Sequence, residues 1–193
     1  SSPANAQEGK NIPELALPGI EGSTGQPDLT TGFSELTLDG SAKVINIIDP
    51  LTLQINKGQP VHLTGLDFPD YNPYAPGPFS QGAIQILKDL LLGQQINLYH
   101  TRDRQTGRRN RMGHDIHHVE YKNQKKTIWV QGLLVYLGLA RVRSERSNPE
   151  MIAELYALEQ QARSEKRGIW AMNEYKILKP EETLAHLHEF RIV

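Results

Sequence analysis

A chain of 193 residues with 38% hydrophobic and 22% charged residues is too apolar for wholesale disorder and has room for one well-cored domain with extensions. Its formal net charge of −1 supplies no global positive field, so any contact with nucleic acid has to come from a local patch. The absence of cysteine excludes disulfides, thiolate metal sites and cysteine nucleophiles, and no apolar run approaches the roughly 18 residues that span a bilayer.

The opening stretch Ser1-Ser2-Pro3-Ala4-Asn5-Ala6-Gln7 has the A-x-A spacing of a signal-peptide end, which predicts an exported or periplasmic protein; a flexible terminus is the alternative. Residues 1–41 are rich in Gly, Pro, Ser and Thr and read as a loop-rich extension, with short strands at most around Leu15-Ala16-Leu17 and Leu36-Thr37-Leu38. From Lys43 the texture changes. Val44 to Ile48, Leu51 to Ile55 and Val61 to Leu63, separated by Asp49-Pro50 and by Lys57-Gly58-Gln59-Pro60, predict an antiparallel meander.

Three prolines between Asn72 and Pro78 require a loop. Ala83, Leu87, Leu90 and Leu91 then share one helical face, and Gly93 stops that helix. Strand patterns return at Gln95 to Tyr99 and at Ile116 to Tyr121, with an arginine-rich loop between them. A short apolar helix is expected from Val130 to Leu137. A stronger one is signalled by Asn148 as cap, Pro149 at the first position, Glu150 against the dipole, a stripe of Met151, Leu155, Leu158 and Ala162, and Gly168 as the stop. Residues 172–193 read as a second extension, with a helix from Glu181 to Glu189 and a strand beginning at Phe190, as in a chain that continues past Val193.

Strand, strand, strand, helix, strand, strand, helix, helix is the element order of a five-stranded Greek-key OB barrel with about three packed helices, an α+β architecture. Four blocks carry a resemblance to the staphylococcal nuclease (thermonuclease) family: Val61-His62-Leu63-Thr64-Gly65-Leu66-Asp67-Phe68-Pro69-Asp70; Gly82-Ala83 through Leu87, Leu90-Leu91, Gly93, Ile96 and Leu98; Leu133 to Val142; and Glu159-x2-Ala162-Arg163-x4-Gly168-Ile169-Trp170. The resemblance implies an OB-fold domain over residues 42–171 and, in the family, calcium-dependent hydrolysis of phosphodiesters. That chemistry uses oxygen ligands for the cation, a carboxylate beside the attacking water and guanidinium groups on the phosphoryl oxygens.

Carried over residue by residue, the family's D-G-D-T turn becomes Asp49-Pro50-Leu51-Thr52, with Leu51 at a ligand position. Asp67 matches the second metal carboxylate, and Asp70 stands in place of the glutamate linked to water activation. His62 replaces the first phosphate-clamping arginine. The second clamp has two alignments: Asn110-Arg111-Met112-Gly113-His114 puts His114 there and is favoured, and Asp103 to Arg108 offers Arg108 instead. Neutral imidazole cannot reproduce a permanently charged bidentate fork. The resemblance therefore implies a degenerate site, no resident cofactor, and a chain that acts as a binding or assembly module for a protein partner; the alternatives are a divalent-metal-dependent phosphodiesterase with a rearranged site, Asp67 and Asp49 holding the metal beside Asp70 and either Arg108 or the histidines, and nucleic-acid binding without cleavage.

If a metal binds, His62, Asp67, Asp70 and His114 form an N/O set suited to a transition metal rather than calcium; histidines that merely fill the cleft are the other reading. His117 and His118 are strand neighbours that point to opposite faces, so they cannot share one site. Arg102, Arg104, Arg108, Arg109 and Arg111, with Lys122, Lys125 and Lys126 nearby, form the concentrated basic region. They could contact phosphates or an acidic protein surface, or be a solvated loop. Tyr71, Tyr74 and Phe79 among the prolines mark a partner loop or a rigid cover for the barrel, and Trp129 and Trp170 read as packing residues.

Overall fold

The structure, a computed structural model, describes residues 33, 36–101, 108–109, 113, 115–125, 127–144 and 151–172. Five strands close a barrel. β1 (Leu36–Asp49) pairs antiparallel with β2 (Thr52–Ile55) through its second half and with β5 (Gln95–Thr101) through its first. β2 pairs with β3 (Val61–Leu63), and β5 with β7 (Asp115–Lys122). The ring is completed by a parallel pairing of β3 with β7, Val61 opposite Asp115 and Leu63 opposite His117. That order, a three-strand meander closed by a parallel pair, is the OB topology the element order predicts. β6 (Arg108–Arg109) and β8 (Thr127–Trp129) are short additions to β7.

The alternation rule explains the inward faces. Ala42 and Val44 on β1, Leu53 on β2, Val61 and Leu63 on β3, Ile96 and Leu98 on β5 and Val119 on β7 are all buried, and on β1, β3 and β5 they recur at every second residue. α1 (Pro78–Leu91) lays Ala83, Ile86, Leu87 and Leu91 into the same core. α2 (Val130–Tyr136) is buried on every residue, with Gln131 accepting from Val119 N–H and donating to the His117 carbonyl. α3 (Ile152–Ser164) presents Leu155, Leu158 and Ala162, the stripe read from the sequence.

Two features depart from the expected outline. The short strand expected around Leu36 to Leu38 is continuous with the run from Val44, as one strand β1 in which Leu36 to Leu38 pair with Thr101 to Tyr99. The ladder then skips a residue: Leu38 faces Tyr99 and Gly40 faces Leu98, so Asp39 is the extra residue of a bulge. Gly40 there has φ +141°, a conformation open essentially to glycine alone. Second, Met151 has φ +65°, and α3 begins at Ile152. The left-handed backbone of Met151 excludes it from the helix although its side chain still packs in the core. The expected cap residues Asn148, Pro149 and Glu150, both terminal extensions up to residue 32 and from residue 173, and the helix expected at Glu181 to Glu189 lie outside the described residues.

The closing block of the sequence works by close approach. Gly138, just past α2, and Gly168, at the start of a short 3-10 helix (Gly168–Ala171), both have positive φ, and Ile169 N–H donates to the Gly138 carbonyl at 2.8 Å. A Cβ on either glycine would fall 2.1 Å from a carbonyl oxygen of the facing segment, so any side chain would force the segments apart. Arg167 lies over the Tyr136 ring, with its guanidinium carbon 3.8 Å from the centroid, and donates to the Tyr136 carbonyl and hydroxyl.

Candidate functional site

The carboxylates at the family positions can be followed oxygen by oxygen. Asp49 ends β1, and its two oxygens accept from Leu51 N–H at 2.8 Å and Thr52 Oγ1 at 3.0 Å. This is an Asx turn, which reverses the chain into β2. Leu51 packs against the core. Burial first, and then the Asp49 carboxylate, push the Tyr71 phenol above its ordinary value.

Asp67 lies on β4 (Leu66–Asp67), which forms a two-residue ladder with β9 (Arg141–Val142). The register sets Asp67 opposite Arg141, and Arg141 Nη2 donates to Asp67 Oδ2 at 2.6 Å. Three residues on, Asp70 folds back onto the start of α1. Its carboxylate accepts from Phe79 N–H at 2.8 Å, from Ser80 N–H at 3.1 Å and from Ser80 Oγ at 2.5 Å. Phe79 and Ser80 occupy the second and third helical positions, where N–H groups lack intrahelical partners, and the helix dipole favours an anion. Gly77 is glycine for the same reason: a Cβ there would sit 2.4 Å from Asp70 Oδ2.

His62 is half-buried on β3, in register with Thr52 on one side and Ile116 on the other. A cleft of about 430 Å³ opens beside Asp67, lined by Arg141, Arg143, Tyr156, Glu159 and Arg163. Asp49, His62 and Asp70 are not among its lining residues. Glu159, from the fourth resemblance block, is buried. One of its oxygens accepts Val142 N–H at 2.9 Å and the other meets Arg163 Nη2 at 3.3 Å, so it ties α3 to β9. His114, Arg102, Arg104 and Arg111 lie outside the described residues, as do the side chains of Arg108 and Arg109, whose backbones form β6 beside Ile116 and Asp115.

His117 and His118 face opposite ways, as alternation requires, and both are buried. Trp129 Nε1 donates to His118 Nδ1 at 3.3 Å, within an aromatic group in which Phe33 stacks on Tyr99 and meets Trp129 edge-on. His117 faces the barrel. On β5 the inward set Ile96, Leu98 continues to His100, and on β7 Val119 is followed inward by His117. His117 Nε2 lies 2.8 Å from Asp39 Oδ2, and His100 Nδ1 lies 3.7 Å from Asp39 Oδ1. One potential ligand atom from each of Asp39, His100 and His117 falls within 4.8 Å of the others. Sequence reasoning missed this group because its members are separated by most of the barrel. The available signal was that two period-2 apolar faces each end in histidine.

A closed OB barrel with one helix between its third and fourth strands and two packed after the fifth defines an OB-fold protein of nuclease type. Residues 60–172 match the family described as staphylococcal nuclease homologue, and the chain belongs to that family. No curated protein matches the chain. The nuclease relationship allows nucleic acid as a ligand class, and among the described residues no helix is long and apolar enough to cross a membrane.

Proposed function

We propose that this chain is a non-catalytic member of its family, a nuclease-type barrel that serves as a binding or assembly module for another protein. The observation that carries the reading is that Asp49, Asp67 and Asp70 each have oxygens already engaged by groups of the chain itself: a turn, a guanidinium and a helix N-terminus. Calcium takes roughly six to eight oxygen ligands. Leu51 offers none and packs, partly buried, against the core, so the residues present do not fit the family's cation. His62 at the first clamp position lacks the fixed charge and fork of arginine.

The partner surface fits the Asn72 to Pro78 loop. Asn72 Oδ1 accepts Tyr74 N–H at 2.9 Å and the Asn72 carbonyl accepts Ala75 N–H at 3.1 Å, which holds the turn. Tyr74 at its tip is 97% exposed. An aromatic side chain on a braced turn suits protein contact, because little conformational entropy is lost when it is covered.

A second reading, a phosphodiesterase with a rearranged site, is favoured by the cleft beside Asp67, where Arg141, Arg143 and Arg163 meet two carboxylates. One experiment separates the two. Purified full-length chain is incubated with single-stranded DNA, duplex DNA and RNA, with calcium, magnesium, manganese and zinc tested one at a time beside an Asp67→Ala control. No cleavage above the control is expected. Cleavage by the parent chain that disappears in Asp67→Ala overturns the non-catalytic reading and establishes the second.

A further inference from the structure

We propose that Asp39, His100 and His117 form a binding site for a divalent first-row transition ion of the zinc class, at the end of the barrel interior and separate from the family's cation position. This inference is independent of the non-catalytic reading.

The donors come from three strands that the fold fixes separately. His100 and His117 are 5% and 2% exposed and lie each one residue past the Tyr99–His118 pair that ends the β5–β7 ladder. Both rings are therefore held by the barrel before any ion arrives, which reduces the ordering cost of binding. Asp39 is the extra residue of the β1 bulge, and its side chain is 42% exposed. Bulges re-aim side chains, and this one turns a carboxylate across the mouth of the barrel toward both rings, leaving a solvent path for an ion.

Spacing and chemistry agree. An ion with nitrogen and oxygen ligands at about 2.0–2.2 Å in tetrahedral arrangement holds its donors about 3.3 Å apart. The two His–Asp separations, 2.8 Å to one carboxylate oxygen and 3.7 Å to the other, bracket that value, and one ligand atom from each residue lies within 4.8 Å of the others, so rotamer changes would seat the ion. Two imidazoles and one carboxylate suit zinc, cobalt, nickel or iron, and suit calcium and magnesium poorly because those take oxygen donors throughout. Three protein ligands leave further coordination positions for water.

An ion bridging β1, β5 and β7 would tie the bulged strand to both neighbours and link barrel stability to metal.

The test uses untagged full-length chain stripped with chelator. Cobalt titration should give visible d–d absorption that saturates at one ion per chain and is abolished by zinc. Zinc should raise the melting temperature. Asp39→Asn keeps the shape and an acceptor for His117 but removes the charge; it should weaken cobalt binding by about tenfold or more with an unchanged circular dichroism spectrum. His62→Asn, a variant of the histidine at the first family clamp position, should bind as the parent chain does. Substoichiometric binding by the parent chain overturns the proposal whatever the variants do. So does binding that survives in Asp39→Asn or is lost in His62→Asn. Should Asp39→Asn fail to fold, parent-chain cobalt spectra that lack imidazole ligation reject the site and spectra that show it support it.

Discussion

Asp70 and Asp39 make an instructive pair. Asp70 sits in a resemblance block and has the residue type of a catalytic carboxylate, yet its oxygens are taken up by two backbone N–H groups and a hydroxyl at the start of α1. Asp39 sits in a segment that reads as loop-rich extension, yet its carboxylate looks onto two buried imidazoles. A carboxylate's availability depends on what already fills its lone pairs, and matching a motif does not report this. On the family side of the barrel the acids brace the fold. At the Asp39 end the acid faces two imidazoles from neighbouring strands.

The comparison can be sharpened by removing the acids in turn. The largest effect is expected at Glu159, the buried brace of the same region. Glu159→Ala strips Val142 N–H of its acceptor and Arg163 of its partner, and should cost about 3 kcal/mol. For a chain of this size that is a fall of about 8 °C in melting temperature by calorimetry.

Asp70→Ala comes next, at about 2 kcal/mol, because a charged acceptor at the second and third N–H groups of a helix is among the stronger caps. Unchanged urea stability in that variant would mean the carboxylate is not committed to α1, and would reopen a catalytic role for it. Asp67→Asn should do least. The Asp67 and Arg141 side chains are 31% and 41% exposed, and solvent-screened pairs of this kind contribute less than about 1 kcal/mol. A denaturant midpoint shifted well beyond that would show that the pair anchors β4 to β9.

Much of the barrel was legible because its strands obey alternation. Val44 to Ile48, Val61 to Leu63, Gln95 to Tyr99 and Ile116 to Tyr121 lie within observed strands, and the run Leu51 to Ile55 overlaps β2, which starts one residue later at Thr52. The start of β1 was legible as a short strand at Leu36 to Leu38, but its continuity with the run from Val44 was not, because the two pieces join through the bulge at Asp39 and Gly40. β4 and β9, two residues each, are too short to show any period, so the pairing of Asp67 with Arg141 could not be read. The start of α3 had strong capping signals at Asn148 to Glu150, against which the left-handed backbone of Met151 gave no warning in residue type. Asp49, Asp67 and Asp70 could be placed by motif, but their partners Leu51, Arg141 and Ser80 follow from tertiary geometry. The Asp39 group was beyond reach for the same reason, since only barrel closure brings residue 39 beside residues 100 and 117.

That closure also sets an order of events for the folding chain. β3 finds its parallel partner only in Asp115 to His117, so the helix, β5 and the arginine-rich stretch must all emerge before its free edge is covered. Until then β1, β2 and β3 can form only a meander with an open edge, which is prone to wrong pairing. Closing so long a loop is entropically costly before it yields any contacts, which makes barrel closure a late and comparatively slow step.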